Sequence, residues 1–151
     1  MLTLCIDTAY KFLTCALIKD NEVLEAVSYE CFKRQSEEVF VAMDELFNRA
    51  GVKKDAIDSV CISKGPGSYT GVRIAMSIAK VLTKVKDLKL YTISTLKLYA
   101  GNKDKTMVIM DARASRAYIG VYDHGETIVN DCVLPIVILI LRTITSFLMA
   151  I

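Results

Sequence analysis

Two hydrophobic periods alternate along this chain, and the order of that alternation limits the folds open to it. Leu2–Asp7 and residues 12–18 and 23–29 are short runs rich in β-branched and aromatic side chains. Lys19-Asp20-Asn21 forms a hairpin turn between the last two, so the start of the chain predicts an antiparallel meander. Ser36 then offers an N-cap, and Glu37 and Glu38 suit the positive end of a helix dipole. Val39, Phe40, Met43, Leu46, Phe47 and Ala50 recur with helical period until Gly51 stops the helix. Ser59–Ser63 is a brief apolar strand, 65–71 a glycine-rich turn, 72–84 a second helix, 90–94 a strand and Thr95–Ala100 a short helix. The order βββαβαβ predicts an α/β fold in which a mixed sheet carries helices on both faces.

Laid on itself, the chain repeats. Val108-Ile109-Met110-Asp111 falls on Leu4-Cys5-Ile6-Asp7, and at the same spacing the strand and turn ending at Glu126 fall on those ending at Glu22. This self-similarity predicts duplicated lobes, a ribonuclease H-like layout of the kind found in actin-like ATPases. The expected organisation is a first lobe over residues 1–103, the start of a second over 104–134 and an atypical apolar segment over 135–151.

Asp7 and Asp111 each close a first strand, where open α/β sheets place ligands. Such acids serve a metal-bound phosphate, or they simply end a strand in a turn; neither is followed by the glycines of a phosphate loop. Gly65-Pro66-Gly67-Ser68-Tyr69-Thr70-Gly71 leads from strand into helix with Arg73 one turn in. There, free backbone N–H groups can hold an anion, which makes Gly65, Gly67, Ser68 and Arg73 candidates along with Asp7 and Asp111. It lacks a Gly-Lys-Ser/Thr ending, and Thr70 stands where G-x-G-x-x-G has its third glycine, so a tight turn capped by Ser68 or Thr70 is the alternative. No nucleophile has an activating base in view. The only His, His124, lies in a turn and is expected to be solvated, and Glu37-Glu38 and Asp44-Glu45 are helical neighbours that point apart. No catalytic residue and no metal ligand is assigned.

The second helix has more apolar surface than a one-sided helix needs. Arg73, Ser77, Lys80 and Lys84 form one polar stripe, while Val72, Ile74, Ala75, Met76, Ile78, Ala79, Val81 and Leu82 fill the remainder. The first helix adds Val41 and Ala42 beside its main face. The surplus predicts a helix-to-helix partner interface or deeper burial within the chain.

Composition excludes several classes. A net charge of +2 gives no footprint for holding nucleic acid unaided. Cys5, Cys15, Cys31, Cys61 and Cys132 are odd in number and without Cys-x-x-Cys spacing, so neither a disulfide framework nor a zinc site is indicated and a cytoplasmic location is expected. No secretory leader is recognised at the start. Residues 133–151 are long enough to span a bilayer, but Pro135 and Arg142 interrupt them, and an Arg at mid-membrane costs about 2.5–3.5 kcal/mol or more.

Ile6-Asp7-Thr8, Gln35-Ser36-Glu37, Lys64-Gly65-Pro66-Gly67-Ser68-Tyr69-Thr70-Gly71-Val72-Arg73-Ile74, Ala79-Lys80, Ser94-Thr95-Leu96 and Met110-Asp111-Ala112-Arg113 with Tyr118 together resemble the TsaB family of bacterial tRNA threonylcarbamoyladenosine synthesis. The resemblance runs in order over about the first 134 residues. It implies an actin-like, two-lobed scaffold that pairs with TsaD, the threonylcarbamoyl transferase, in a complex that also holds the ATPase TsaE. It further implies a homodimer in isolation, contact with tRNA only through the complex, no membrane, and ATP and metal on the partner subunits with no cofactor of the chain's own. The relative's His-x-x-x-His metal motif has no counterpart here. Carried over, the helices beginning at Ser36 and Gly71 are the pairing surface, with Glu38, Val41, Ala42 and Glu45 on one and Val72, Ala75, Met76 and Ala79 on the other. The contrasting expectation is a nucleotide-dependent actin-like transferase or a peptidase-like enzyme built on Asp7, Asp111 and the glycine-rich turn. Gln35 stands where the family has His, and Pro135 onward resembles nothing in it. A truncated or shifted reading frame is the expected origin of that tail, with a membrane anchor as the alternative.

Overall fold

The computed structural model describes residues 1–31 and 33–139. The chain divides into two compact units, Met1–Thr95 and the part from Leu96 onward. In the first, β1 (Leu2–Asp7), β2 (Phe12–Lys19) and β3 (Glu22–Glu30) form the expected meander. Asp20 and Asn21 take φ of 49° and 72°, the left-handed pair that a two-residue hairpin turn requires. α1 (Gln35–Ala50), β4 (Ser59–Ser63), α2 (Tyr69–Lys86) and β5 (Lys89–Ile93) follow, giving a five-stranded mixed sheet of order β3-β2-β1-β4-β5 with β4 parallel to β1 and β5. This is the α/β, ribonuclease H-like order that the sequence pattern predicts.

The core lies on one face of that sheet. Alternate residues Leu2, Leu4 and Ile6 of β1, Leu13, Cys15 and Leu17 of β2, and Val60 and Ile62 of β4 are buried against Val39, Ala42, Leu46 and Phe47 of α1 and Ala75, Ile78 and Ala79 of α2. Each large side chain so buried contributes roughly 1.5–3 kcal/mol. Both helices therefore cover the same face, where the sequence pattern suggested a layer on each. On the other face small side chains meet: Thr3 Oγ1 meets Ser59 Oγ at 2.8 Å, Thr14 Oγ1 meets Ser28 Oγ at 2.7 Å, and Cys5 stands in register with Cys61.

Helix ends differ from expectation in two places. Ser36 is not the cap of α1; the helix begins at Gln35, and the carbonyl of Arg34 accepts the amides of Glu37 and Glu38 at 3.0 and 3.1 Å. α2 begins at Tyr69, about one turn earlier than its apolar period shows, because Ser68 caps it by accepting the Gly71 N–H at 3.3 Å. The stop at Gly51 follows the sequence: φ of 64° lets the amides of Gly51 and Val52 close on Asn48 and Phe47.

The short helix α3 (Thr95–Ala100) precedes the second unit's antiparallel sheet, β6 (Thr106–Asp111), β7 (Arg116–Asp123) and β8 (Glu126–Pro135). This sheet copies the opening of the first. His124 and Gly125 repeat the left-handed turn of Asp20 and Asn21, and Asp123 pairs Glu126 as Lys19 pairs Glu22. The first hairpin slips by one residue, with Thr106 opposite Tyr122 where a strict copy of Leu2 opposite Lys19 would place Asp123. Val133, Leu134 and Pro135, the start of the apolar tail, are strand residues paired with Tyr118, Ala117 and Arg116. Arg142 and the bulk of the tail, for which a shifted frame or an anchor was expected, lie outside the described residues. Among the described residues no helix is long and apolar enough to cross a membrane.

Replacing Leu46, which is fully buried, with Ala is expected to cost about 3 kcal/mol, read from the urea midpoint of the purified chain. Val85→Ala, at a side chain 76% exposed on α2, should shift that midpoint far less, and equal shifts would show that α1 does not cover the core as described.

Candidate functional site

The sequence-predicted anion candidates gather where the end of β1 meets the start of α2. Two glycines there permit backbone to touch backbone. A Cβ on Gly67 would lie 2.4 Å from the carbonyl oxygen of Ala9, and one on Gly71 would lie 2.0 Å from that of Thr8, both well inside van der Waals contact. Hydrogen bonds close the contact: Ser68 N–H donates to Ala9 O at 2.7 Å, and the Thr8 hydroxyl donates to Gly71 O at 2.7 Å. Gly65, at φ 96°, accepts the Thr95 N–H at 2.9 Å, so the turn is also held to the end of β5. The capped tight turn is what forms. The amide of Ser68 is spent on Ala9, that of Gly71 on Ser68 Oγ and that of Val72 on Ser68 O, so these three donors work within the chain.

Asp7 belongs to the same knot. It is buried, and its Oδ1 accepts the Ala9 N–H at 2.9 Å and the Ser63 hydroxyl, which tie the end of β1 to the end of β4. Asp111 makes the matching turn in the second unit, accepting the Arg113 N–H at 2.7 Å, but it is exposed. The two acids are thus local equivalents with unequal surroundings. Gln35 is a residue whose part the sequence did not reveal: it is buried and donates from Nε2 to the Tyr10 carbonyl at 2.9 Å, while the Cys31 N–H donates to Lys11 O. An amide side chain thus does the pinning at this position. His124 is exposed as expected, and it comes together with Asp104 and Asp123 in a group of possible ligand atoms within 4.8 Å of one another. Asp123 Oδ1 in that group accepts the Lys105 N–H at 3.3 Å.

Arg73 lies elsewhere. Its guanidinium stacks over the Tyr69 ring at 5.1 Å and donates to the Tyr69 hydroxyl at 2.8 Å, at the mouth of a groove of about 510 Å³ between α1 and α2. Val39 and Phe40 line one side, and Ile74, Ile78, Val81 and Leu82 the other. Phe40, Tyr69 and Val81 stand 59%, 76% and 61% exposed, large apolar side chains left open to this extent among the described residues.

The predicted interface residues divide between this surface and the interior. Ala42, Ala75 and Ala79 are fully buried among the core residues, so they offer no free surface. Val72 and Met76 are half-buried, Met76 against the core. Glu38 and Glu45 pair with Arg34 and Arg49 along α1, and Val41 is exposed. The exposed ridge is instead Tyr69, Arg73, Ser77, Val81 and Val85, four residues apart along α2, a spacing present in the sequence but masked by grouping Arg73 and Ser77 with Lys80 and Lys84 as one polar stripe.

A family model described as TsaD, tRNA N6-adenosine threonylcarbamoyltransferase, matches residues 29–145. The tRNA threonylcarbamoyladenosine biosynthesis protein TsaB of Bacillus subtilis is 30% identical over 137 residues, covering 88% of this chain and 60% of that protein. Its Escherichia coli counterpart is 28% identical over 132 residues, covering 83% and 57%. The solved structure of YeaZ from Pseudomonas aeruginosa superposes with a TM-score of 0.82 at 25% identity, over 89% of this chain and 67% of that one. The chain belongs to the TsaB/YeaZ family. With it comes the actin-like ATPase fold, and the β-meander of the first unit recurs in the second. The chain spans about 60% of the length of the curated TsaB relatives named here.

Gly71→Ala is expected to destabilise the chain by about 1–3 kcal/mol, since its Cβ has no space beside Thr8 O. Ser68→Ala should cost about 1 kcal/mol through the lost cap. Thermal unfolding reads both, and an unchanged midpoint for Gly71→Ala would mean that the backbones do not touch there.

Proposed function

We propose that this chain is a non-catalytic subunit of tRNA threonylcarbamoyladenosine synthesis, which binds a TsaD-type transferase through the groove between α1 and α2. The observation that carries this reading is the apolar groove itself, with Phe40, Tyr69 and Val81 exposed around it on two helices whose other faces are already committed to the core. A groove between two helices accepts a helix pair from a partner as ridges into grooves. Covering three large exposed apolar side chains is worth several kcal/mol of the association energy, at about 25 cal/mol per Å² of apolar surface. Arg73, already stacked on Tyr69, supplies a charged rim that discriminates between partners.

The names of the relatives support the process, and their family supports TsaD as the kind of partner. A scaffold role fits the site described above: Asp7 Oδ1 accepts bonds from Ala9 and Ser63, and the amides of Ser68, Gly71 and Val72 are engaged inside the chain. In this reading ATP, metal and the ATPase TsaE act on the transferase side of the complex, tRNA is met there, and the same groove closes a homodimer when the transferase is absent.

Light scattering behind size exclusion, on the chain mixed with the TsaD of the same organism, tests the proposal. A one-to-one complex is expected. Phe40→Asp and Val81→Asp should each weaken it at least tenfold while leaving the urea midpoint nearly unchanged, since both side chains are exposed. A complex that tolerates both charges would place the interface elsewhere.

A further inference from the structure

On the sheet face away from α1 and α2, β1 and β4 run parallel and in register, with Thr3 beside Ser59 and Cys5 beside Cys61. Residues paired across adjacent strands lie about 4.7–4.9 Å apart, inside the range of roughly 4.4–6.8 Å that a disulfide accepts between Cα atoms. Both thiols are half-buried, neither sealed in the core nor fully in solvent, and the neighbouring pair Thr3–Ser59 is small. We propose that Cys5 and Cys61 form a redox-active dithiol, a modification site at which a hydroperoxide converts the pair to an intramolecular disulfide.

The two sulfurs have different parts. The interaction between the two thiols lowers the pKa of Cys61 and raises that of Cys5, an effect that burial reinforces at Cys5. Cys61 is therefore the attacking thiolate. It displaces hydroxide from the peroxide oxygen: an S–O bond forms, the O–O bond breaks, and the thiol proton leaves with the departing oxygen as water. Cys5 sulfur then attacks the sulfenic sulfur, the S–S bond forms and a second water departs. Two thiols lose two electrons, one hydroperoxide gains them, and for hydrogen peroxide the products are a disulfide and two waters. Thiol reductants reverse the change by thiol–disulfide exchange.

The other cysteines do not share this setting. Cys15 is fully buried on the core face, and that burial, with the charge of Asp7 beside it, pushes its thiol up to about 12. Cys31 is buried, and Cys132 stands exposed in the second unit.

The test uses the reduced full chain, treated with one equivalent of hydrogen peroxide, alkylated, digested with trypsin and analysed by mass spectrometry. The expected product is a linked pair of peptides, residues 1–11 with 55–64, two hydrogens lighter than the free pair, which disappears when a thiol reductant is added before alkylation. Cys15 should be recovered as an alkylated thiol. Cys5→Ser should leave a dimedone-reactive sulfenic acid at Cys61, whereas Cys61→Ser should give none at Cys5. The proposal is overturned if Cys61 is carried to sulfinic acid in the unaltered chain without a linked peptide. Linkage of two chains through Cys132 as the main product would overturn it equally.

Discussion

Between the carbonyls of Thr8 and Ala9 and the backbone at Gly67 and Gly71 there is no room for even a methyl group, and much of the first unit is arranged around that contact. It joins the end of β1 to the start of α2, two segments far apart in sequence. The loop after β1 is gripped on its other sides as well, by the Gln35 side chain at Tyr10 and by the Cys31 amide at Lys11. The starts of both helices are thereby fixed to one short loop, which sets their spacing over the sheet. The groove between α1 and α2 is a consequence of that spacing. Glycines that resemble a phosphate cradle in one dimension serve here to bring main chains together, and close backbone approach is a use of glycine as common as anion binding.

Repetition of the β1–β3 pattern in β6–β8 extends to single hydrogen bonds. Asp7 and Asp111 each accept the amide two residues on, and both second hairpins turn through a left-handed pair. What differs is the surroundings: Asp7 is buried with Ser63 against it, while Asp111 is exposed. The same local motif thus supports a closed knot in one unit and an open turn in the other, so the turn geometry belongs to the repeated strand pattern itself.

Strand limits and the stop of α1 at Gly51 were legible because each depends on neighbours in sequence, through alternation or a left-handed glycine, and the same local reasoning narrowed the cap of α2 to Ser68 or Thr70, of which Ser68 serves. The side of the sheet that each helix takes was not legible, since it depends on crossover handedness and on the full strand order. The clamp at Gly67 and Gly71 escaped notice for the same reason, being long-range. At the candidate interface the helices were identified correctly as carrying surplus apolar surface, but Ala42, Ala75 and Ala79 turned inward and Phe40, Tyr69 and Val81 outward. A helical wheel gives angles between side chains without saying which angle faces the sheet. Ala42, Ala75 and Ala79 pack inside with Val39, Leu46, Phe47 and Ile78, while Phe40, Tyr69 and Val81 fall outside that face.

The reading that follows is of a fold whose conspicuous glycine motif works indirectly, by holding two helices at the distance that leaves a partner groove. Hydrogen-exchange mass spectrometry on the chain alone and in the presence of its TsaD tests that reading most directly. Added protection over α1 and the Tyr69–Leu82 part of α2, with residues 8–10 and 65–68 unchanged, is the predicted result. Protection appearing at residues 8–10 and 65–68 while the helices stay as they were would contradict it, and would return the glycine-rich turn to the role of a binding site.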